Sequence, residues 1–297
     1  MRQQHRVCGV CDMICSWVYT ENMEITWYGT ATIRLRMQRL DLLFDPFVPL
    51  PGAPEALPAN HLLPAPHVLI THGHLDHLCS VPELVRQGAE QIFATATPCA
   101  TLTKKGVPPQ VLNCIKPGDQ LYFSTNQTST SADTADVTVS VLAGRHIRFD
   151  ARLVLTTLFS PRTLRYAGNA RTLLKDNQLY AENGETVIFE VTHNSTLVTV
   201  LGSLSLAEDE RYTTGPDLLV LPYQGHSHLA PIALSIIERL RPRAVLLDHF
   251  DNTFPPISRS VDTAPLAQAL AQEHPEIRLI IPQPETTYRI DENSPLI

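Results

Sequence analysis

Thr71-His72-Gly73-His74-Leu75-Asp76-His77 places three imidazoles and one carboxylate within six residues. Neutral imidazole and carboxylate are donors that zinc, manganese and iron prefer. The H-x-H-x-D-H spacing lacks the i, i+4 repeat of a helical H-E-x-x-H pair, so the donors are expected on a loop. The flanks agree. His67-Val68-Leu69-Ile70-Thr71 is a short, apolar, β-branched run that reads as a buried strand. Val81-Pro82-Glu83-Leu84-Val85 reads as the first turns of a helix. A loop between two such elements is held by a rigid scaffold and can carry an open site. A histidine tract can be an accident of composition. Four donors at this spacing, behind an apolar strand, argue for a metal centre.

The 297 residues suit a large two-layer α/β enzyme. A net charge of -7 argues against a nucleic-acid backbone or an anionic membrane as the main partner, and leaves a small-molecule substrate. No apolar run approaches the roughly 20 residues that span a bilayer. Arg2 and Arg6 have no uninterrupted apolar core behind them, so no secretory signal is expected. Cys79, Cys99 and Cys114 are scattered, as small buried residues usually are. Cys8, Cys11 and Cys15 form C-x2-C-x3-C, a pattern that can hold a metal or an iron–sulfur cluster but shows no fourth ligand. Residues 1–22 therefore read as an appendage, and 23–297 as one hydrolase-sized domain. Several free thiols fit a reducing cytoplasm.

The rest of the chain alternates strand and helix signals. Residues 23–35 read as a strand broken at Gly29 and residues 41–45 as a second, together a hairpin. Residues 46–66 are rich in proline and read as a surface loop beside the metal. Further strands are expected at 91–94, 114–119, 136–142, 185–191, 195–201, 218–222, 243–247 and 277–281, the last of them closing the fold. Helices are expected at 97–105, 232–240 and 264–272. Residues 124–135 read as a polar connection, and residues 150–182 as an insertion or lid. Many strands, few helices and histidines at strand ends point to two packed sheets with helices outside.

The H-x-H-x-D-H run, with later histidines at strand ends, resembles the metallo-β-lactamase superfamily. The nearest likeness is to its ascorbate-6-phosphate lactonase-like branch, carried also by Ile25-Thr26-Trp27-Tyr28-Gly29-Thr30-Ala31-Thr32 and Leu43-Phe44-Asp45-Pro46-Phe47. The resemblance implies a four-layer αββα sandwich of two mixed sheets, with the site at one edge. It implies a first metal site of His72, His74 and His146, and a second of Asp76, His77 and His249. It implies that Asp45 orients a ligand imidazole. The bridging aspartate usual in the family is replaced by Ser203 in Leu201-Gly202-Ser203-Leu204-Ser205. A hydroxyl is a weaker, uncharged ligand, so either one ion or two are bound. Zinc is the expected ion, with manganese or iron as alternatives.

Other residues stay open. His226 either serves the site, binding substrate or donating a proton, or makes local loop hydrogen bonds with His228. Asp251 is either a partner of His249 or a turn residue before Pro255-Pro256. His5, His61, His193 and His274 read as surface residues. Ser227 lacks a G-x-S-x-G elbow and does not read as a nucleophile. The function expected is hydrolysis of an ester, lactone or phosphodiester by activated water, with Asp76 taking the water's proton and His249 or His226 assisting the leaving group. Three alternatives compete: a non-catalytic binding member of the fold, which Ser203 favours; iron redox chemistry served by the cysteine cluster; and a nuclease, against which the acidic charge counts.

Overall fold

The computed structural model describes residues 23–49, 53, 65–125, 135–148, 150, 160–169, 179–253 and 255–290. The appendage, Cys8, Cys11, Cys15, His5, His61 and most of the proline-rich loop lie outside the described residues, as does much of the expected lid.

Fourteen strands run through the described residues in two sheets of seven. They are β1 (Met23–Trp27), β2 (Ile33–Met37), β3 (Leu40–Phe44), β4 (His67–Leu69), β5 (Gln91–Ala94), β6 (Leu112–Cys114) and β7 (Gln120–Phe123). They continue with β8 (Val137–Ala143), β9 (Val187–His193), β10 (Thr196–Leu201), β11 (Leu218–Pro222), β12 (Ala244–Asp248), β13 (Arg278–Ile280) and β14 (Thr287–Ile290). The first sheet has the order β14-β1-β2-β3-β4-β5-β6 and the second β13-β12-β11-β10-β9-β8-β7. Each is antiparallel in one half and parallel in the other.

Period-2 alternation decides which side chains face which layer. In β3 to β5, Leu42, Phe44, Leu69 and Phe93 point into the core between the sheets, where they meet Phe189, Val200 and Val220. Their neighbours Leu43, Val68, Ile70 and Ile92 point outward onto the helices Val81–Arg86 and Ala96–Lys104. On the second sheet, Leu219, Leu221, Val245 and Leu247 face outward in the same way. They are covered by helix Leu229–Leu240 through Ala233, Ile236, Ile237 and Leu240, the i, i+3, i+4, i+7 stripe of an amphipathic helix. Helix Ala264–Glu273 adds Leu266 and Leu270. Three apolar layers thus separate four structural layers, the αββα sandwich expected.

Four local expectations change. Residues 23–35 form two strands, because Gly29 (φ +100°) and Thr30 turn the chain between β1 and β2. Strand β7 appears where no strand was expected, paired to β8. The strand near 277–281 does not close the fold: β14 follows it and pairs antiparallel to β1. The four residues of β14 are too few for alternation to stand out, and only the free edge of β1 selects them. His193 is buried rather than on the surface. It ends β9 on the same face as Val187, Phe189 and Val191, which looks into the inter-sheet core. No helix among the described residues is long and apolar enough to cross a membrane.

Candidate metal centre

In open α/β sheets, ligands bind beyond the carboxyl ends of parallel strands. The histidine-rich loop follows β4, Ser203 follows β10, and His249 follows β12. His146 lies three residues past β8 on the same edge. Part of the motif is helical after all: Leu75–Leu78 forms one turn, carrying Asp76 and His77. The motif is split between two donor clusters.

The first cluster is His72, His74 and His146, and the second is Asp76, His77 and His249. Within each cluster one donor atom per residue lies within 4.8 Å of the others. His72 Nε2 faces His74 Nδ1 at 3.0 Å, and His249 Nε2 lies 3.0 Å from Asp76 Oδ2. The clusters adjoin, with the His72 and His77 ring centroids 3.9 Å apart.

Hydrogen bonds set the tautomers. Asp45 sits between the clusters and the strand, accepting from Thr71 N at 2.8 Å, Thr71 Oγ1 at 2.6 Å and His77 Nδ1 at 2.9 Å. Thr71 Oγ1 gives its only proton to Asp45, so at 3.1 Å it accepts from His72 Nδ1. His146 Nδ1 donates to Ile147 O at 2.8 Å. Each of these three rings therefore keeps its lone pair on Nε2. Buried lone pairs gathered in this way repel, and a cation is the partner that satisfies them. The donor set fits a divalent metal ion.

The electrostatics agree. Burial and the neighbouring imidazoles hold His72 well below the usual histidine range, and burial holds His146 below it. Burial also brings His74 down to about 4, against the pull of Asp76. All three are neutral at pH 7, the form that binds metal. Burial opposes charge on Asp76, but His77 and His249 outweigh it and keep the carboxyl ionised. Burial likewise opposes charge on His249, yet the Asp76 hydrogen bond and the Asp76, Asp248 and Asp251 charges push it up to about 9.

Two non-glycine residues at the site occupy the left-handed region, Asp45 (φ +44°) and His249 (φ +54°). Such backbone costs about 1 kcal/mol or more and persists where its surroundings over-determine it. Here Asp45 N donates to Leu69 O at 3.0 Å and His249 N to Thr30 O at 2.7 Å.

The remaining expected residues divide. Ser203 borders the cavity, and its Oγ accepts from Ile147 N at 3.0 Å. It thereby steadies the loop that carries His146. Asp251 Oδ2 accepts from Thr30 N at 2.9 Å, tying the His249 loop to the β1–β2 turn. His226 stands apart from the clusters and from the cavity lining. Its Nδ1 accepts from His228 N at 3.0 Å, the local alternative. His274 is half-buried beside Glu238 and Glu276.

Residues the motif did not announce complete the site. The cavity over the clusters measures about 220 Å³, and Tyr180, Leu204 and Ile257 help to line it. Glu182, whose carboxylate accepts from Gly184 N and Thr186 N, favours the charged forms of His74 and His146. Tyr180 and Glu182 lie on a strap clamped to the donor loop. Thr101 Oγ1 donates to Leu179 O at 2.9 Å, Val187 N donates to Thr71 O at 2.9 Å, and Gly73 packs against Ala181. A Cβ on residue 73 would lie 2.1 Å from the Ala181 carbonyl oxygen. Gly73→Ala is expected to cost about 3 kcal/mol, the upper end for overpacking, read from urea unfolding. A cost below half of that would mean the strap yields.

Comparison with known proteins reaches the same place. A profile described as the beta-lactamase superfamily domain matches residues 41–250, which include every residue of both clusters. A UPF0173 metal-dependent hydrolase of Pyrobaculum islandicum is 24% identical over 276 residues, covering 90% of this chain and all of that one. Igni18, a metallo hydrolase from Ignicoccus hospitalis, superposes with a TM-score of 0.59 at 18% identity over 91% of this chain and 99% of its own. The metallo-beta-lactamase fold protein YhfI from Bacillus subtilis gives 0.54 at 12% identity, over 91% of this chain and 100% of its own. With the αββα layers, the strand-end clusters and a profile spanning most of the chain in agreement, this protein belongs to the beta-lactamase superfamily.

Proposed function

We propose that this protein is a metal-dependent hydrolase of esters, lactones or phosphodiesters, holding one tightly bound zinc ion at His72, His74 and His146. The observation that carries this reading is the pair of adjoining donor clusters under a cavity, the first of them built of neutral imidazoles with His72 and His146 in preset tautomers. Three imidazoles suit zinc. Asp76, His77 and His249 are the donors for a second, weaker ion. Two of them are engaged with each other at 3.0 Å, and the neutral Ser203 stands where the family's bridging carboxylate usually lies.

His72, His74 and His146 would hold a divalent cation, which would supply Lewis acidity toward the electrophilic oxygen and toward water. The chain's own groups do the rest. Asp76, kept ionised by its histidine neighbours, receives the attacking water's proton on its carboxylate. With the second, weaker site empty, His249, kept protonated by Asp76, donates from Nε2 to the leaving group or the developing oxyanion. Asp45 and Thr71 hold the imidazoles in register.

Elemental analysis of the purified chain tests the reading. About one zinc per chain is expected. Dialysis against a chelator is expected to abolish hydrolysis of p-nitrophenyl esters, and added zinc to restore it. Manganese or iron in place of zinc would change the ion and keep the mechanism. Turnover that survives with metal near zero would overturn it, and substoichiometric metal without turnover would favour a non-catalytic binding protein.

A further inference from the structure

We infer that the site selects small acyl substrates, esters or lactones with a short apolar arm, over esters whose arm carries a charge. The inference rests on the hydrolase reading above and narrows it. Beyond the donor clusters, the cavity wall is Leu75, Ile147, Tyr180, Leu204, Pro222 and Ile257. Ile147, Tyr180 and Leu204 are buried and packed into the two outer cores, so this wall is fixed rather than incidental. Two polar lining side chains are already engaged. Gln224 Nε2 donates to Arg259 O at 2.9 Å, and Ser203 Oγ accepts from Ile147 N. No lysine or arginine stands among the described lining residues.

An arm that ends in a carboxylate would carry its charge against this apolar wall. Recognition of such a charge normally draws on guanidinium or ammonium donors, and a charge moved out of water without them is strongly penalised. A neutral ester meets no such penalty. Its carbonyl needs only the donor-cluster floor, and each methylene of its arm gains by leaving water against the apolar wall. The size is limiting as well. About 220 Å³ lies below the roughly 300–1,000 Å³ of pockets for drug-sized ligands, so the arm is short.

The test compares p-nitrophenyl acetate, butyrate and hexanoate with mono-p-nitrophenyl succinate and bis(p-nitrophenyl) phosphate on the zinc-loaded full chain. The His72→Ala protein supplies the background. From acetate to butyrate, kcat/KM is expected to rise about fourfold per methylene. Succinate, matched to butyrate in length, is expected to fall at least about tenfold below it. Ile257→Lys places a cation on the most exposed part of the wall, where folding is least at risk. It is expected to narrow the butyrate-to-succinate ratio by about fivefold, the size of a partly exposed ion pair. A flat or falling series from acetate to butyrate, succinate turned over as well as butyrate, or turnover of the phosphodiester alone would overturn the inference and leave the hydrolase reading standing. Zinc-loaded protein that hydrolyses none of the five would overturn both.

Discussion

His72→Ala is expected to leave less than about a tenth of the bound metal and to lower kcat/KM by at least about 10³-fold, because the activated water and the charge stabilisation are lost together. His72 is the middle of the site. It is 1% exposed, its Nε2 faces His74 at 3.0 Å, and its ring lies 5.1 Å from that of His146 and 3.9 Å from that of His77, centroid to centroid. Removing it opens the first cluster and unsettles the boundary with the second. Thermal unfolding supplies a second readout. An ion bound only by the folded state at 1,000 times its Kd stabilises it by about 4 kcal/mol. That metal-dependent rise in Tm should vanish in the mutant. His249→Ala separates the two clusters. It should keep about one zinc per chain while turnover falls, because the first cluster stays complete. Equal metal loss in both mutants would show that the clusters bind as a unit and would sink the one-tight-ion assignment.

Asp45→Asn is expected to weaken metal binding by about 10- to 100-fold, the range for groups that orient a ligand imidazole. It should also destabilise the fold by about 3 kcal/mol. Asp45 is 1% exposed and accepts from three donors: the Thr71 amide, the Thr71 hydroxyl and His77 Nδ1. An amide offers one accepting atom, and its NH₂ would face a donor where a carboxylate oxygen had accepted. The mismatch releases the Thr71 hydroxyl, which in turn frees the tautomer of His72. Competition with a chromophoric chelator measures the first effect and urea unfolding the second. Lost stability with unchanged zinc affinity would reduce Asp45 to a structural residue.

These two predictions draw on different distances along the chain, and the difference explains what could be read in advance. Four of the six cluster donors share one short segment, behind a strand that announces itself by β-branched apolar residues. The strand, the following helix and the donor types were therefore open to local reasoning. So were most elements of the second sheet, since β9 to β12 are long apolar runs with turn signals between them. Short edge elements were not. β7 and β14 are four residues each, and they become strands because β8 and β1 offer an unpaired edge. His193 misled for a similar reason. Histidine composition favours the surface, but strand register placed this one on the core face.

Among the site residues, His146 and His249 could be named only through family likeness, because nothing within their own stretches says what they will meet. His249 reaches Asp76 across 173 positions. Tyr180 and Glu182 lie in the segment read as an insertion or lid, but nothing singled them out within it, and Ile257 gave no signal, being a single residue in an irregular segment.

The amino-acid order by itself determined the donor inventory, the alternation of strand and helix, and the membership of a superfamily built on that plan. Those are matters of side-chain chemistry and of periodicities spanning a few residues. Tertiary structure alone decided which ring nitrogen each histidine presents, what Ser203 holds, and how apolar the cavity wall is. Each of those depends on atoms brought within a few ångströms by strand pairing and layer packing. Pairing is chosen by the energy of the whole sheet, which no local pattern encodes.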